Sequence, residues 1–163
     1  MKEIILTTGQ IAIVDDDDFN WLSRYSWRIV KGRNNYYAQT SFWDKNKKQN
    51  KNYSMHRLIM NNPDGLQVDH INHNGLDNRK ENLRICTASQ NSMNTHKTKE
   101  NKYGYKGVCF IGGKQNRTKP YAAQLRYGKK RYYLGQFATP EEAARAYDQK
   151  AKEMFGGYAC LNF

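Results

Sequence analysis

Three runs of alternating side chains, Tyr105 to Ile111, Tyr121 to Tyr127 and Arg131 to Phe137, are separated by breaks that contain glycine. Alternation at period two over such short lengths predicts a three-stranded antiparallel sheet. Thr139-Pro140-Glu141-Glu142 follows at once. It offers an N-cap hydroxyl, a proline at the first helical position and an acid at the third, the pattern of a capping box. Ala143, Tyr147, Ala151 and Met154 then fall on one helical stripe, and Gly156 can close the helix through a left-handed residue. Residues 103–163 are therefore expected to form a sheet with one helix packed on it. Gln124 and Arg126 alternate with Ala123 and Leu125, so the polar pair faces away from that helix.

Charge narrows the partner. From Asn101 to Pro140 there is no acid, against nine Lys or Arg and six Tyr. The whole chain carries 27 Lys and Arg against 15 Asp and Glu, a net charge of +12. Such a field attracts polyanions, and nucleic acid is the expected partner. A membrane is not, because no apolar run approaches the ~18 residues of a spanning helix and the amino terminus lacks a signal peptide. A soluble cytoplasmic protein is expected.

With 163 residues, 38% of them hydrophobic, and a mean hydropathy of -0.99, the chain has little material for one large core. Small modules in series are expected. Cys86, Cys109 and Cys160 form no Cys-x-x-Cys pair, so neither a disulfide framework nor a four-cysteine zinc site follows.

Residues 1–54 read as a β-rich support segment. Ile4 to Val14 suggests a hairpin, and Asp15 to Asp18 suit the N-terminus of a short helix carrying Phe19, Trp21, Leu22 and Tyr25. Trp27 to Ile29 and Tyr36 to Phe42 read as strands around a turn at residues 32–35. Lys45 to Lys51 reads as a solvated loop, and Ser54 to Met60 as a short helix. Residues 96–102 are polar and read as a linker.

Residues 66–94 carry the chemistry. Asp69 and His70 are adjacent, so at the end of a strand their side chains diverge, one to hold a metal and the other to face substrate. Asn82 can hydrogen-bond across the intervening turn and fix the backbone that carries His70. Thr87-Ala88-Ser89-Gln90 is a second capping-box pattern, so a helix should start at Ala88 with Asn91 in its first turn. A divalent metal and one imidazole together cover the needs of phosphodiester hydrolysis. His70-x-x-His73 beside Asp69 also invites a zinc reading, but no further Cys or His stands at a finger-like spacing.

In order, Asp69-His70, Asn82 and Asn91 resemble the motif of the HNH endonucleases, especially the phage and intron-encoded homing branch with Asn in the last position. The resemblance implies a ββα-metal fold over residues 55–95, within an α+β protein. It implies His70 as general base, Asp69 and Asn91 as ligands of one Mg²⁺ or Mn²⁺, and Asn82 as the residue that orders the His70 loop. An oxygen donor set suits such hard cations. The implied products are a 5′-phosphate and a 3′-hydroxyl, and the implied origin is a phage or bacterium. His73 departs from the small residue usual at its position. His56, in Met55-His56-Arg57-Leu58, matches a recurrent family position and reads as a histidine packed against a neighbouring strand.

Tyr105-Lys106-Gly107-Val108, Tyr121 to Arg126, Tyr132 to Gly135 and Ala159 to Phe163 resemble the APETALA-type DNA-binding domain of plant ethylene-response factors, over residues 103–163. By matched position Lys106, Gln124, Arg126, Arg131 and Tyr133 are the expected DNA-facing residues. Lys129 and Lys130, with Arg117 and Lys119, are expected phosphate contacts. Arg79 and Arg84 join the expected DNA-binding set from the central motif. Lys106, Cys109 and Tyr133 replace residues common in that family, so its base preference does not transfer.

Together these readings point to a homing-type DNA endonuclease that acts on double-stranded DNA through a C-terminal sheet. The alternatives are a DNA-binding regulator with a degenerate nuclease motif and an RNA-binding protein that stacks bases on tyrosines. A monomer with one site would nick, whereas a dimer could cut both strands.

Overall fold

A computed structural model of the chain describes residues 1–32, 35–95, 103–112 and 118–163. The expected linker at 96–102 and Arg117 lie outside these residues. The chain divides into two compact units, Met1–Ala88 and Ser89–Phe163. Each is a mixture of helices and small antiparallel sheets, an α+β architecture.

In the first unit, β1 (Lys2–Ile5) and β2 (Ile11–Val14) form the expected hairpin. α1 (Asp16–Leu22) begins in the acid run, with Asp15 as its N-cap. β3 (Arg28–Lys31), β4 (Tyr36–Asp44) and β5 (Gln49–Ser54) form a second sheet in the order β3-β4-β5. β3 starts one residue later than expected, and Trp27 just before it is buried, its indole Nε1 donating to the Leu22 carbonyl at 2.8 Å. The expected loop at 45–51 is shorter than anticipated, since Gln49 to Lys51 already pair with β4. β5 is an exposed edge strand of polar residues, so it has no apolar alternation to announce it.

α2 (Met55–Ile59) follows, then β6 (Gln67–His70), a turn of 3-10 helix at Lys80–Asn82, and β7 (Leu83–Cys86) paired antiparallel with β6. Residues expected to be two modules share one core. Ile4, Val14, Leu22 and Trp27 pack in the same cluster as Met55, Ile59, Val68 and Leu83. Residues 1–54 and 55–88 thus lie in one compact unit.

α3 (Ala88–Met93) starts at the expected residue. Most of it belongs to the second unit, where Met93 packs with Leu125, Tyr147 and Phe155. β8 (Val108–Phe110), β9 (Tyr121–Tyr127) and β10 (Lys130–Phe137) form the antiparallel sheet in the order β10-β9-β8. β8 is shorter than its alternating run, and just before it Gly107 sits at φ +78°, where a Cβ would lie 2.0 Å from the Tyr147 ring. α4 (Pro140–Phe155) packs on the sheet through Ala143, Ala144, Tyr147 and Ala151. The N-cap half of its capping box forms, with the Glu142 amide donating to Thr139 Oγ1 at 3.2 Å, while Glu142 Oε2 accepts from the amide of Ala138, one residue before the cap, at 3.1 Å. The buried Asp148 carboxylate accepts from the Asn162 and Phe163 amides, and Asn162 in turn brackets the Lys106 backbone. The terminal Ala159–Phe163 segment is thereby stapled to the module.

Candidate active site and nucleic-acid interface

The end of β6 places Asp69 and His70 back to back. Asp69 stands opposite Arg84 on β7, and His70 opposite Leu83. Alternation sends the two side chains to different faces, and both are buried.

His70 enters an aromatic pocket. Its ring lies 4.9 Å from that of His56 on α2, edge-on at 70°, and 5.8 Å from that of Tyr37 on β4. Asn78, fully buried, sets its hydrogen bonding. Asn78 Nδ2 donates to the Leu76 carbonyl at 3.2 Å, which turns Oδ1 toward His70 Nε2 at 3.3 Å. That contact selects the tautomer with a proton on Nε2 and the basic lone pair on Nδ1. Burial lowers the pKa of His70, opposed by the Asn78 bond and by the charges of Asp69 and Asp77. The imidazole is thus neutral at neutral pH, the form a general base requires.

The loop from Ile71 to Arg79 is pinned on every side. Asn82 Oδ1 accepts from the Asn72 amide at 2.9 Å, and its Nδ2 donates to the Asp77 carbonyl at 2.7 Å. The Ile71 amide donates to the Asn82 carbonyl at 2.9 Å. Asp77 accepts from Asn72 Nδ2 at 2.8 Å and takes a two-pronged bond from Arg79 at 2.8 and 2.7 Å, which holds its carboxyl below the usual range. β2 props the loop from below, with the Asn78 amide donating to the Ile13 carbonyl and the Ile13 amide to the Leu76 carbonyl. The acid run helps: Asp15 accepts from the Lys80 amide at 2.7 Å, and Asp18 pairs with the Lys80 ammonium at 2.9 Å. His73 occupies a left-handed position, φ +63°, which glycine alone adopts without cost. Gly75 is buried so tightly that a Cβ would fall 2.3 Å from the Tyr36 carbonyl.

Asp69 is held by Arg84, whose Nε and NH2 donate to Oδ2 at 2.9 and 2.8 Å. Among the described residues no three His, Cys, Asp or Glu side chains are grouped to hold a metal, so His70, His73 and Asp69 form no zinc cluster. Cys86 adds no thiolate, because burial and the Asp69 charge push its pKa up. The donor chemistry here is carboxylate and amide oxygen, which fits a hard divalent cation. Asn91 lies in the second unit, half-buried on α3.

Two residues around His70 carry no role in the sequence pattern: Asn78, inside the motif, and Tyr37, on a distant strand. His56 does pack on Tyr37, at 5.4 Å, but it also forms a wall of the His70 pocket. Its Nδ1 is buried with no hydrogen-bond partner. Burial, with the neighbouring His70 and Arg57 contributing, pulls its pKa down to about 3.

The second unit presents a basic sheet face. Arg131 lies opposite Arg126, Tyr133 opposite Gln124, and past an irregularity Gln136 opposite Ala122. Both arginines are exposed, and so is Tyr133, at 61%. Like charges set directly across a strand pair repel, so this pairing costs the free protein stability that a polyanion would restore. Lys129 lies in the exposed turn between β9 and β10. Lys130 pairs with Tyr127, whose ring contacts Phe155 of α4, so its position belongs to the helix side of the sheet. Lys106 is turned inward, its ammonium donating to the Met93 carbonyl at 2.9 Å, and burial lowers its pKa. Arg79 and Arg84 are engaged with Asp77, Glu81 and Asp69. Lys106, Arg79 and Arg84 each have a close partner within their own unit.

A buried imidazole next in sequence to a buried carboxylate, on a loop locked by amides, in a chain of α+β build that also carries a basic sheet face, is an arrangement that suits a nuclease. Residues 55–93 match the HNH endonuclease family. Over 156 residues the chain is 31% identical to an uncharacterized HNH endonuclease of Acanthamoeba polyphaga mimivirus, covering 94% of this chain and 75% of that protein. The chain belongs to the HNH endonuclease family. It is also 41% identical over 75 residues to the ethylene-responsive transcription factor LEP of Arabidopsis thaliana, a match spanning 44% of this chain and 36% of that one. A dehydration-responsive element-binding protein of the same plant is 62% identical over 34 residues, 21% of this chain and 14% of its own. These partial matches fall in the C-terminal half and support an APETALA-like DNA-binding domain there. No solved structure matches the chain.

Proposed function

We propose that the protein is a metal-dependent DNA endonuclease of the homing type, directed to its site by the sheet β8–β10. The observation that carries this reading is the buried His70 imidazole, oriented by Asn78 on a loop that Asn82 locks. In this role His70 Nδ1 removes the proton from the attacking water, and Asn82 acts by holding the backbone on which His70 rides. A Mg²⁺ or Mn²⁺ held by Asp69, with Asn91 as the resemblance implies, would stabilise the charge growing on the phosphate and on the departing 3′-oxygen. The products are then a 5′-phosphate and a 3′-hydroxyl. Arg126, Arg131, Tyr133, Gln124 and Lys129 contact DNA and restrict where one small site acts.

The test is to incubate supercoiled and linear DNA with the full chain in Mg²⁺ or Mn²⁺. Nicked or linear product is expected, and His70→Ala should abolish it while leaving DNA affinity within a few fold. Retained cleavage by that variant would remove His70 as the base. The Arg84 pairing on Asp69 favours a second reading, a DNA-binding regulator without cleavage. Tight binding with no product in either metal would select it.

A further inference from the structure

The sheet β3–β5 has no part in the proposed reaction, yet one of its faces leads directly to it. Along β4, Ala38 and Thr40 are buried in the interior, so alternation puts Tyr37, Gln39, Ser41 and Trp43 on the other face. Register adds their neighbours. Arg28 lies opposite Gln39, Asn52 opposite Ser41, and Asn50 opposite Trp43. The inner end of the row is Tyr37, packed 5.8 Å from the His70 ring, and the outer end is Trp43, 59% exposed.

This row is an ordered set of hydrogen-bonding groups with no carboxylate. Arg28 donates to Asn52 Oδ1 at 2.7 Å across the sheet, which holds both side chains in place. The acid at the tip of the hairpin, Asp44, has the opposite parity and is used by the turn, accepting from the Asn46 and Lys47 amides at 3.0 Å. The turn itself exposes Lys45, Lys47 and Lys48. Amide and guanidinium groups pair with base edges in the major groove, which admits a β-ribbon, and lysines suit the flanking phosphates. From Tyr37 to Trp43 the strand covers roughly 20 Å at ~3.3 Å per residue, the length of about six base steps.

We propose that the outer face of β3–β5 is a second DNA-reading surface, lying on the duplex next to the scissile phosphate. It rests on the nuclease reading, because that reading puts a phosphate at His70. The first unit then contributes recognition as well as chemistry, independently of the sheet β8–β10.

The experiment crosslinks the full chain to random-sequence duplex DNA substituted with bromodeoxyuridine, maps the crosslinked peptides by mass spectrometry, and assays cleavage of the same preparation. Crosslinks at Trp43 are expected. The exposed pair Asn50→Ala and Asn52→Ala should together weaken DNA binding by about 30-fold or more, the loss of two base contacts worth on the order of 1–3 kcal/mol each. Native Trp27 fluorescence certifies that this variant is folded. Crosslinks confined to residues 103–163, or wild-type binding by the folded double variant, would overturn the proposal. Crosslinks at Trp43 without any cleavage would instead sink the nuclease reading and leave the surface standing.

Discussion

Replacing Asn82 by Ala isolates the loop that carries the proposed base. The side chain is 6% exposed and makes two hydrogen bonds, to the Asn72 amide and to the Asp77 carbonyl. Its backbone carbonyl keeps its bond from Ile71 in the variant. A typical bond contributes a net ~0.5–1.5 kcal/mol, and a buried partner left unsatisfied costs about 1–3 kcal/mol. Asn72 is exposed, so water can serve its amide and that loss stays near the lower figure. The Asp77 carbonyl is interior, and its loss stays near the upper one. The sum is about 2–3 kcal/mol. Denaturant unfolding followed by Trp fluorescence measures it cleanly, because Trp21, Trp27 and Trp43 all lie in the first unit. Asn82→Asp tests the direction of the bonds: it keeps an acceptor for Asn72 but sets oxygen against oxygen at Asp77, so it should be no more stable than the Ala variant. Cleavage by folded Asn82→Ala should fall by roughly 100-fold, as expected when a catalytic group moves by about 1 Å. A stability loss below about 0.5 kcal/mol would show that the loop is not held by Asn82.

Three further outcomes follow from the same geometry. His56 is neutral in the folded protein with a pKa of about 3 against about 6.5 unfolded, so the unfolded state binds the extra proton between these values. Its contribution is full above about pH 6.5 and is lost as pH falls toward 3; from pH 7 to 5 the wild type should lose ~2 kcal/mol more than His56→Phe in denaturant unfolding. Equal losses would contradict the buried neutral imidazole. Gly75→Ala must displace either the loop or β4, costing about 1–3 kcal/mol by overpacking, and should lower the thermal midpoint and cleavage together. Arg126→Ala should relieve its repulsion with Arg131 and stabilise the free protein by ~0.2–1 kcal/mol, while weakening specific DNA binding by ~1–3 kcal/mol. A change of the same sign in both measurements would argue that the arginine is structural.

The chain by itself determined everything that depends on near neighbours. Alternation in residues 121–137, the capping box at Thr139, the hairpin of residues 4–14 and the helix start at Ala88 are local patterns whose physics acts within a few residues. Asp69, His70 and Asn82 were legible for the same reason, since their spacing fits one hairpin and its turn. β5 was not, because an exposed polar edge strand takes its stability from pairing with β4 and leaves no period in its own sequence. Only the tertiary structure brought Tyr37 and His56 around His70, joined the acid run to Lys80, and gave Arg84 to Asp69. It also turned Lys106 inward and merged residues 1–54 with the motif that follows. Those outcomes depend on which distant surfaces bury one another and which charges find partners, and both are decided by packing across the chain.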